Sequence, residues 1–299
     1  MKKTDRKPRS RGDKLFDFFV YFTLVIVMFI ILYPLYFVVI ASLSDPMQVI
    51  TGKVLWKPIS FNTESYRLVF KDSRVITGYR NTILYTTAGT LLNVLMSIAA
   101  AYPMSRRNLK GKSIGLGMML FTMFFSGGMI PTYITISDLG LLNTFWVMIL
   151  PNAISVYNVM IMRTYFSTSI PYELEEAAMI DGASPMKILV SVVLPLSKSI
   201  LAVMVLFYAV SHWNSYFNAL LYLSDDERFP LQLILRAILI QSQASEESFS
   251  GIGNTYNRML LSETMKYALI IVSSVPVLIL YPFLQKYFVK GVMIGSVKG

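Results

Sequence analysis

The uncharged apolar run over residues 18–43 constrains this chain more than any other feature. As a helix rising about 1.5 Å per residue, it is long enough to cross the ~30 Å hydrocarbon core of a bilayer. It is too long for a signal peptide, whose apolar region covers about 7–15 residues before a small-residue cleavage site. Lys2, Lys3, Arg6, Lys7, Arg9, Arg11 and Lys14 precede it, so it reads as a retained first helix with its basic end in the cytoplasm. Five further apolar stretches follow, at residues 81–103, 113–130, 142–162, 200–221 and 265–288. A 55% hydrophobic content and a mean hydropathy of +0.56 place the chain in the membrane class. Helices satisfy their own backbone groups in lipid, so the expected fold is an all-α membrane protein with six transmembrane helices.

Basic residues set the orientation. With both termini inside, 17 lie in cytoplasmic segments and 9 in external ones, and most of the latter fall in long segments that count less. The expected layout is a cytoplasmic basic N-terminus at 1–17, a transmembrane domain at 18–288 and a cytoplasmic tail at 289–299. External segments cover 44–79 and 222–264, and a long cytoplasmic loop covers 164–198. A short surface helix is expected around residues 61–67. Another is expected at 230–241, where Leu231, Ile234, Leu235 and Ile238 recur at helical spacing. Gly127-Gly128 near the end of the third span suits close helix contact or local unwinding, and a short external connector is expected at 131–141.

The loop at 164–198 carries the most specific pattern. Ser169 and Pro171 suit a helix start, and Glu173, Glu175 and Glu176 add negative charge where the macrodipole favours it. Gly182 suits a left-handed residue ending that helix, and Ser184-Pro185 suit the cap and first position of the next. Leu174, Ala178 and Asp181 share one face. A short, small-residue helix with an acidic start fits a pocket on another protein.

The order Glu176-Ala177-Ala178, Gly182, Val192 and Leu194-Pro195 resembles the signature cytoplasmic loop of ABC-importer permeases. Val192 stands where that family usually has Ile, and Ser199 where it often has Pro. Phe125-Ser126-Gly127-Gly128-Met129-Ile130-Pro131-Thr132-Tyr133, Leu139-Gly140-Leu141-Leu142-Asn143-Thr144 and Tyr287-Phe288-Val289-Lys290-Gly291-Val292-Met293-Ile294-Gly295 resemble the carbohydrate type I permeases. Within these they are similar to the oligosaccharide branch comparable to the maltose importer's second permease. The resemblance implies a type I permease fold with a coupling helix at Glu175, Glu176, Ala177, Ala178, Asp181 and Gly182, followed by Leu194 and Pro195. It also implies a second homologous permease, two ATPase subunits, an extracellular solute-binding protein and an oligosaccharide substrate, in the plasma (inner) membrane.

The remaining chemistry agrees with a dependent subunit. There is no cysteine and a single His, so no thiolate or His-rich metal site is expected. Gly111-Lys112-Ser113 is preceded by Arg106 where a phosphate-binding loop needs Gly, so ATP and Mg are expected in a partner and no cofactor in this chain. No catalytic constellation is recognisable. The net charge of +10 sits beside apolar spans, which favours membrane flanks and lipid contact over nucleic acid. Asn152, Tyr157 and Asn158 on the fourth span, with His212, Trp213, Asn214, Tyr216 and Asn218 on the fifth, are the candidate pathway lining. Sugars need aromatic faces and amides, and polar groups in a span face a cavity or a partner helix. Two other readings are an importer permease for another small solute and a non-transporting assembly protein. The latter leaves the signature loop unexplained. A secondary transporter is disfavoured because acids are nearly absent from the spans.

Overall fold

A computed structural model of the chain describes residues 11–247, 265–280 and 282, and every regular element among them is helical. They fall into two compact units. One comprises the chain up to Val69 together with Gln241–Val272; the other comprises Phe70–Ile240 and the chain from Ser273.

In the first unit, α1 (Arg11–Ser42) presents Phe18, Phe22, Phe29 and Ile30 to its surroundings, as a lipid-facing helix must. Its C-terminal end is buried: Ile40 and Ala41 pack with Val54 and with Val49 of α2 (Pro46–Ile50), flanked by Phe37, Ile59 and Tyr267. Asp45 caps α2 by accepting from the Met47 N–H at 3.0 Å. The Tyr33 and Tyr36 hydroxyls donate to the carbonyls of Leu55 and Trp56, tying the following segment to α1. Asn62 accepts from the Glu64 N–H at 2.7 Å and starts α3 (Glu64–Lys71), the short helix expected near 61–67.

The second unit is built on α4 (Ser73–Ser105), capped by Asp72, which accepts from the Arg74 N–H at 2.9 Å. A hydrogen bond from the Arg74 side chain holds the Asp72 carboxyl below its ordinary range, against an opposing push from burial. After α4 come α5 (Lys112–Phe124) and α6 (Met129–Asp138), bent by 110° at a break where Gly128 adopts φ +89°. The third apolar run is therefore two helices, and the connector expected at 131–141 is largely α6.

The fourth run also departs from one continuous helix. Asn143 adopts φ +53°, a 3₁₀ turn covers Trp146–Met148, and α7 (Val156–Thr168) begins only after Pro151 and Asn152. Pro151 lacks an N–H, and the residue before a proline avoids helical angles, so the helix cannot be built through this point. The loop at 164–198 forms α8 (Tyr172–Ile180), α9 (Pro185–Ile188), a widened π turn at Leu189–Val193 and α10 (Leu194–Leu196). An 84° bend leads into α11 (Lys198–Trp213). The fifth run breaks at Asn214 before α12 (Phe217–Tyr222).

A 3₁₀ turn at Asp226–Arg228 precedes α13 (Leu231–Glu247), which buries Leu231, Ile234 and Ile238 as their spacing predicts. Gly78 allows α13 to lie close to α4, since a β-carbon there would sit 3.1 Å from the Leu231 Cα and 2.5 Å from Ile234 Cδ1. The last helix described is α14 (Met265–Leu280). The tail from residue 283 onward, including the Gly-rich stretch, lies outside the described residues.

Candidate coupling loop and translocation surface

Helix α8 ends as its sequence dictates. Gly182 adopts φ +74°, and the N–H groups of Ala183 and Gly182 return to the carbonyls of Ala178 and Met179 at 2.9 and 3.0 Å. This pair satisfies the last carbonyls of the helix, with Asp181 as its C-cap. Ser184 then accepts from the Lys187 N–H at 3.3 Å and starts α9, with Pro185 in the first position. At the other end, Pro171 occupies the cap position and Ser169 caps the C-terminus of α7, so Ser169 closes one helix instead of opening the next.

The three acids of α8 have different environments. Glu175 is fully buried and forms an ion pair with Arg106 just past the end of α4. The Arg106 guanidinium also donates to the Phe166 carbonyl at 3.3 Å and to Ser105 Oγ at 2.9 Å, and lies 4.8 Å from the Tyr102 ring centre. Burial pulls its pKa below the ordinary value, with Tyr102 and Tyr172 opposing; guanidinium keeps its charge regardless. A polar recess of about 940 Å³ opens beside this pair, lined by Ser105, Arg107, Ser169, Tyr172 and Glu173. Glu176 and Ala177, by contrast, are exposed, and Ile180 is 85% exposed beside Met179 and Met186. The helix is seated by Glu175 and half-buried Ala178, and it offers an acidic and apolar tip to the outside. Leu194 is half-buried and Pro195 exposed where the chain turns toward α11.

Along α4, the buried residues Asn81, Tyr85, Gly89, Asn93, Ser97, Ala101 and Ser105 recur every fourth position. They form one stripe, because residues four apart share a helix face. Every polar group named next has a partner. Asn81 Nδ2 donates to the carbonyls of Glu227 and Phe229 at 2.7 and 3.1 Å, and the Tyr85 hydroxyl to Arg228 at 2.9 Å. Asn93 Nδ2 donates to the Asn152 carbonyl at 2.5 Å, so its Oδ1 is the acceptor for His212 Nε2 at 2.6 Å. That fixes the His212 tautomer with its proton on Nε2. Gly89 makes room for the ring: a β-carbon there would sit 2.4 Å from Nε2. The Ser97 and Tyr208 hydroxyls meet at 2.6 Å.

The structure thus divides the candidate pathway residues. His212, 7% exposed, belongs to the stripe's contacts. Trp213 is buried and donates to the Ser273 carbonyl at 3.0 Å, and Asn158 is buried in the first turn of α7. Asn152, Tyr157, Asn214 and Tyr216 are exposed, and Asn218 is half-buried. Asn214 accepts from Gln232 Nε2 at 3.5 Å, and the Arg236 guanidinium lies 5.9 Å from the Tyr216 ring centre. Two buried candidates, His212 and Trp213, are therefore followed by two exposed ones, Asn214 and Tyr216, at the end of α11.

Residues 3–294 match the family described as binding-protein-dependent transport system inner membrane component. The chain belongs to that family. The permease is 39% identical over 287 residues to the polygalacturonan/rhamnogalacturonan transport system permease protein YtcP of Bacillus subtilis (strain 168), covering 96% of this chain and 99% of that one. Protein LplC of the same organism is 38% identical over 267 residues, 89% of each chain. Among solved structures, a chain of a bacterial ABC transporter involved in the import of the acidic polysaccharide alginate matches with a TM-score of 0.86 at 33% identity, covering 95% of this chain and 100% of that one. A chain of the bacterial alginate ABC transporter in complex with alginate pentasaccharide-bound periplasmic protein matches at 15% identity with a TM-score of 0.56, a likeness of fold alone. The type I permease fold expected from the sequence is the observed one. As a permease subunit of an importer, the chain is not itself an enzyme.

Three features of the permease escape the sequence reading. Arg106 enters there only as a counted basic residue and as the residue that rules out a phosphate-binding loop, and Arg236 only among the nine basic residues counted as external. The fourfold repeat of small and polar residues from Asn81 to Ser105 is legible in the sequence, and its period is the signal that finds the stripe.

Proposed function

We propose that the permease forms, with a second homologous permease, the translocation path for an oligosaccharide delivered by an extracellular binding protein and driven by two ATPase subunits. The observation that carries this reading is the geometry of α8: an exposed tip of Glu176, Ala177 and Ile180 on a seat fixed by the buried Glu175–Arg106 pair. A rigidly seated helix with a free acidic and apolar end transmits force from a partner to α4. In this reading ATP and Mg are bound by the ATPase subunits. Glu176 meets a cation of the ATPase, Gly182 and Asp181 form the turn, and Leu194 and Pro195 redirect the chain into α11. The α8 side is cytoplasmic, as are both termini, at 1–17 and 289–299. The segments 44–79 and 222–264 are external, within a membrane domain of 18–288 whose loop 164–198 couples to the ATPases. The exposed Asn152, Tyr157, Asn214 and Tyr216, with Asn218, line the path. Asn158, His212 and Trp213 stand behind them and hold the helices in register. The polymers named for the similar permease and the alginate transporter support a carbohydrate cargo.

Purification of the tagged chain from gently solubilised membranes tests the proposal. Recovery of a second permease and an ATPase dimer is expected, with the ATPase dimer lost and the second permease retained when Glu176 is changed to Lys. A chain recovered alone, under conditions that keep another importer intact, contradicts it.

A further inference from the structure

We propose that Arg236, together with Gln232, Asn214 and Tyr216, forms a selectivity site for the carboxylate of an acidic sugar at the outer part of the path. The inference rests on the reading of the chain as an oligosaccharide permease and names the substrate class for that path.

Gln232 and Arg236 are one turn apart on α13, so they share a face, while Leu231, Ile234 and Ile238 bury the opposite side. That shared face meets the polar end of α11 through two contacts, Gln232 Nε2 to Asn214 Oδ1 at 3.5 Å and the Arg236 guanidinium to the Tyr216 ring at 5.9 Å. The charge of Arg236 sets this group apart. Arg67, Arg74 and Arg228 meet Glu64, Asp72 and Asp225 in ion pairs. Among the described residues Arg236 meets only an aromatic face.

A guanidinium held by a ring keeps its donors free and aimed, and its planar fork matches a carboxylate. Tyr216, 43% exposed, offers a flat face beside it for the C–H surface of a sugar ring. Asn214 Nδ2 also donates to the Val210 carbonyl at 2.9 Å, and the remaining donors and acceptors of the Gln232 and Asn214 amides are available to hydroxyls. A neutral sugar uses the ring and the amides but leaves the cation without a partner; a uronate uses all four. A polar group of this kind does not face lipid, because nothing there satisfies it.

The test is uptake by proteoliposomes holding the complete importer with saturating binding protein, using oligogalacturonate trimers and their fully methyl-esterified counterparts as probes. R236Q is expected to lower the maximal uptake of the charged trimer by about tenfold, the loss of one charge-assisted hydrogen bond, and to leave the neutral trimer nearly unchanged. R236K is expected to recover part of the loss. Equal losses for both trimers overturn the site, as does failure of R236Q to assemble with the second permease, which would make Arg236 a subunit contact. A wild-type importer that moves neither trimer overturns the oligosaccharide reading itself, and the site with it.

Discussion

Two polar groups flank the end of α11, and they are built on opposite rules. His212 and Trp213 point inward, where Asn93, Gly89 and the Ser273 carbonyl receive them. Asn214 and Tyr216, further along the same segment, are exposed: Asn214 accepts from Gln232 and donates to the Val210 carbonyl of its own helix, and Tyr216 meets Arg236 and Phe217. In a membrane protein every polar group must find a partner. Polarity with its partners inside the chain holds helices in register. Polarity whose capacity exceeds its partners is there for something that arrives. The same contrast recurs on α8, where Glu175 is consumed by Arg106 and Glu176 is exposed with no ion pair among the described residues.

The inward group is broken most severely at Glu175. E175A leaves the partly buried Arg106 charge without its carboxylate, and the expected loss is about 3 kcal/mol in the unfolding free energy of the purified permease. An unchanged unfolding midpoint would mean that the pair is not part of the internal scaffold. N93L comes next: it orphans His212 Nε2 and the Asn152 carbonyl, for about 1–3 kcal/mol by the same measurement. Asp72 is a milder inward contact, and D72A is expected to cost about 1 kcal/mol through loss of a helix cap. Its sign with pH is defined. Arg74 depresses the folded-state pKa of Asp72, so the stabilisation is complete above the unfolded carboxyl value of about 3.9 and disappears as pH falls through the folded value. A pH titration of stability should therefore show the D72A difference flat at neutral pH and closing only in acid. The outward group gives the smallest stability change. N214A is expected to lie within about 0.5 kcal/mol of the parent, as surface changes do; a larger loss would erase the distinction between the two groups.

The membrane class and the α8 turn were legible because each has a strong local cause: long apolar runs, Gly182 at a left-handed position, and Ser184-Pro185 at a helix start. Helix continuity was legible at one point only, Gly127-Gly128, which suits local unwinding and where the chain bends. Apolar composition marks residues 113–130, 142–162 and 200–221 as able to lie in a membrane, but it is silent about breaks at Pro151 and Asn214. Glycine and asparagine tolerate such breaks without demanding them. The candidate path was legible as residue types and not as directions. Residues 212–218 all look alike as a polar and aromatic belt, and only packing against α4 separates the buried His212 and Trp213 from the exposed Asn214 and Tyr216. The Glu175–Arg106 pair lay beyond reach for the same reason, since nothing in the spacing of two distant charges announces their contact.

The most direct test of this division is the maximal uptake rate per assembled importer of the N214A/Y216A double variant, measured with oligogalacturonate in proteoliposomes. The expected result is a fall of about tenfold or more, with assembly at the wild-type level. Wild-type uptake per assembled importer, or a loss that only tracks reduced assembly, would contradict the assignment of the outward-facing residues to the path.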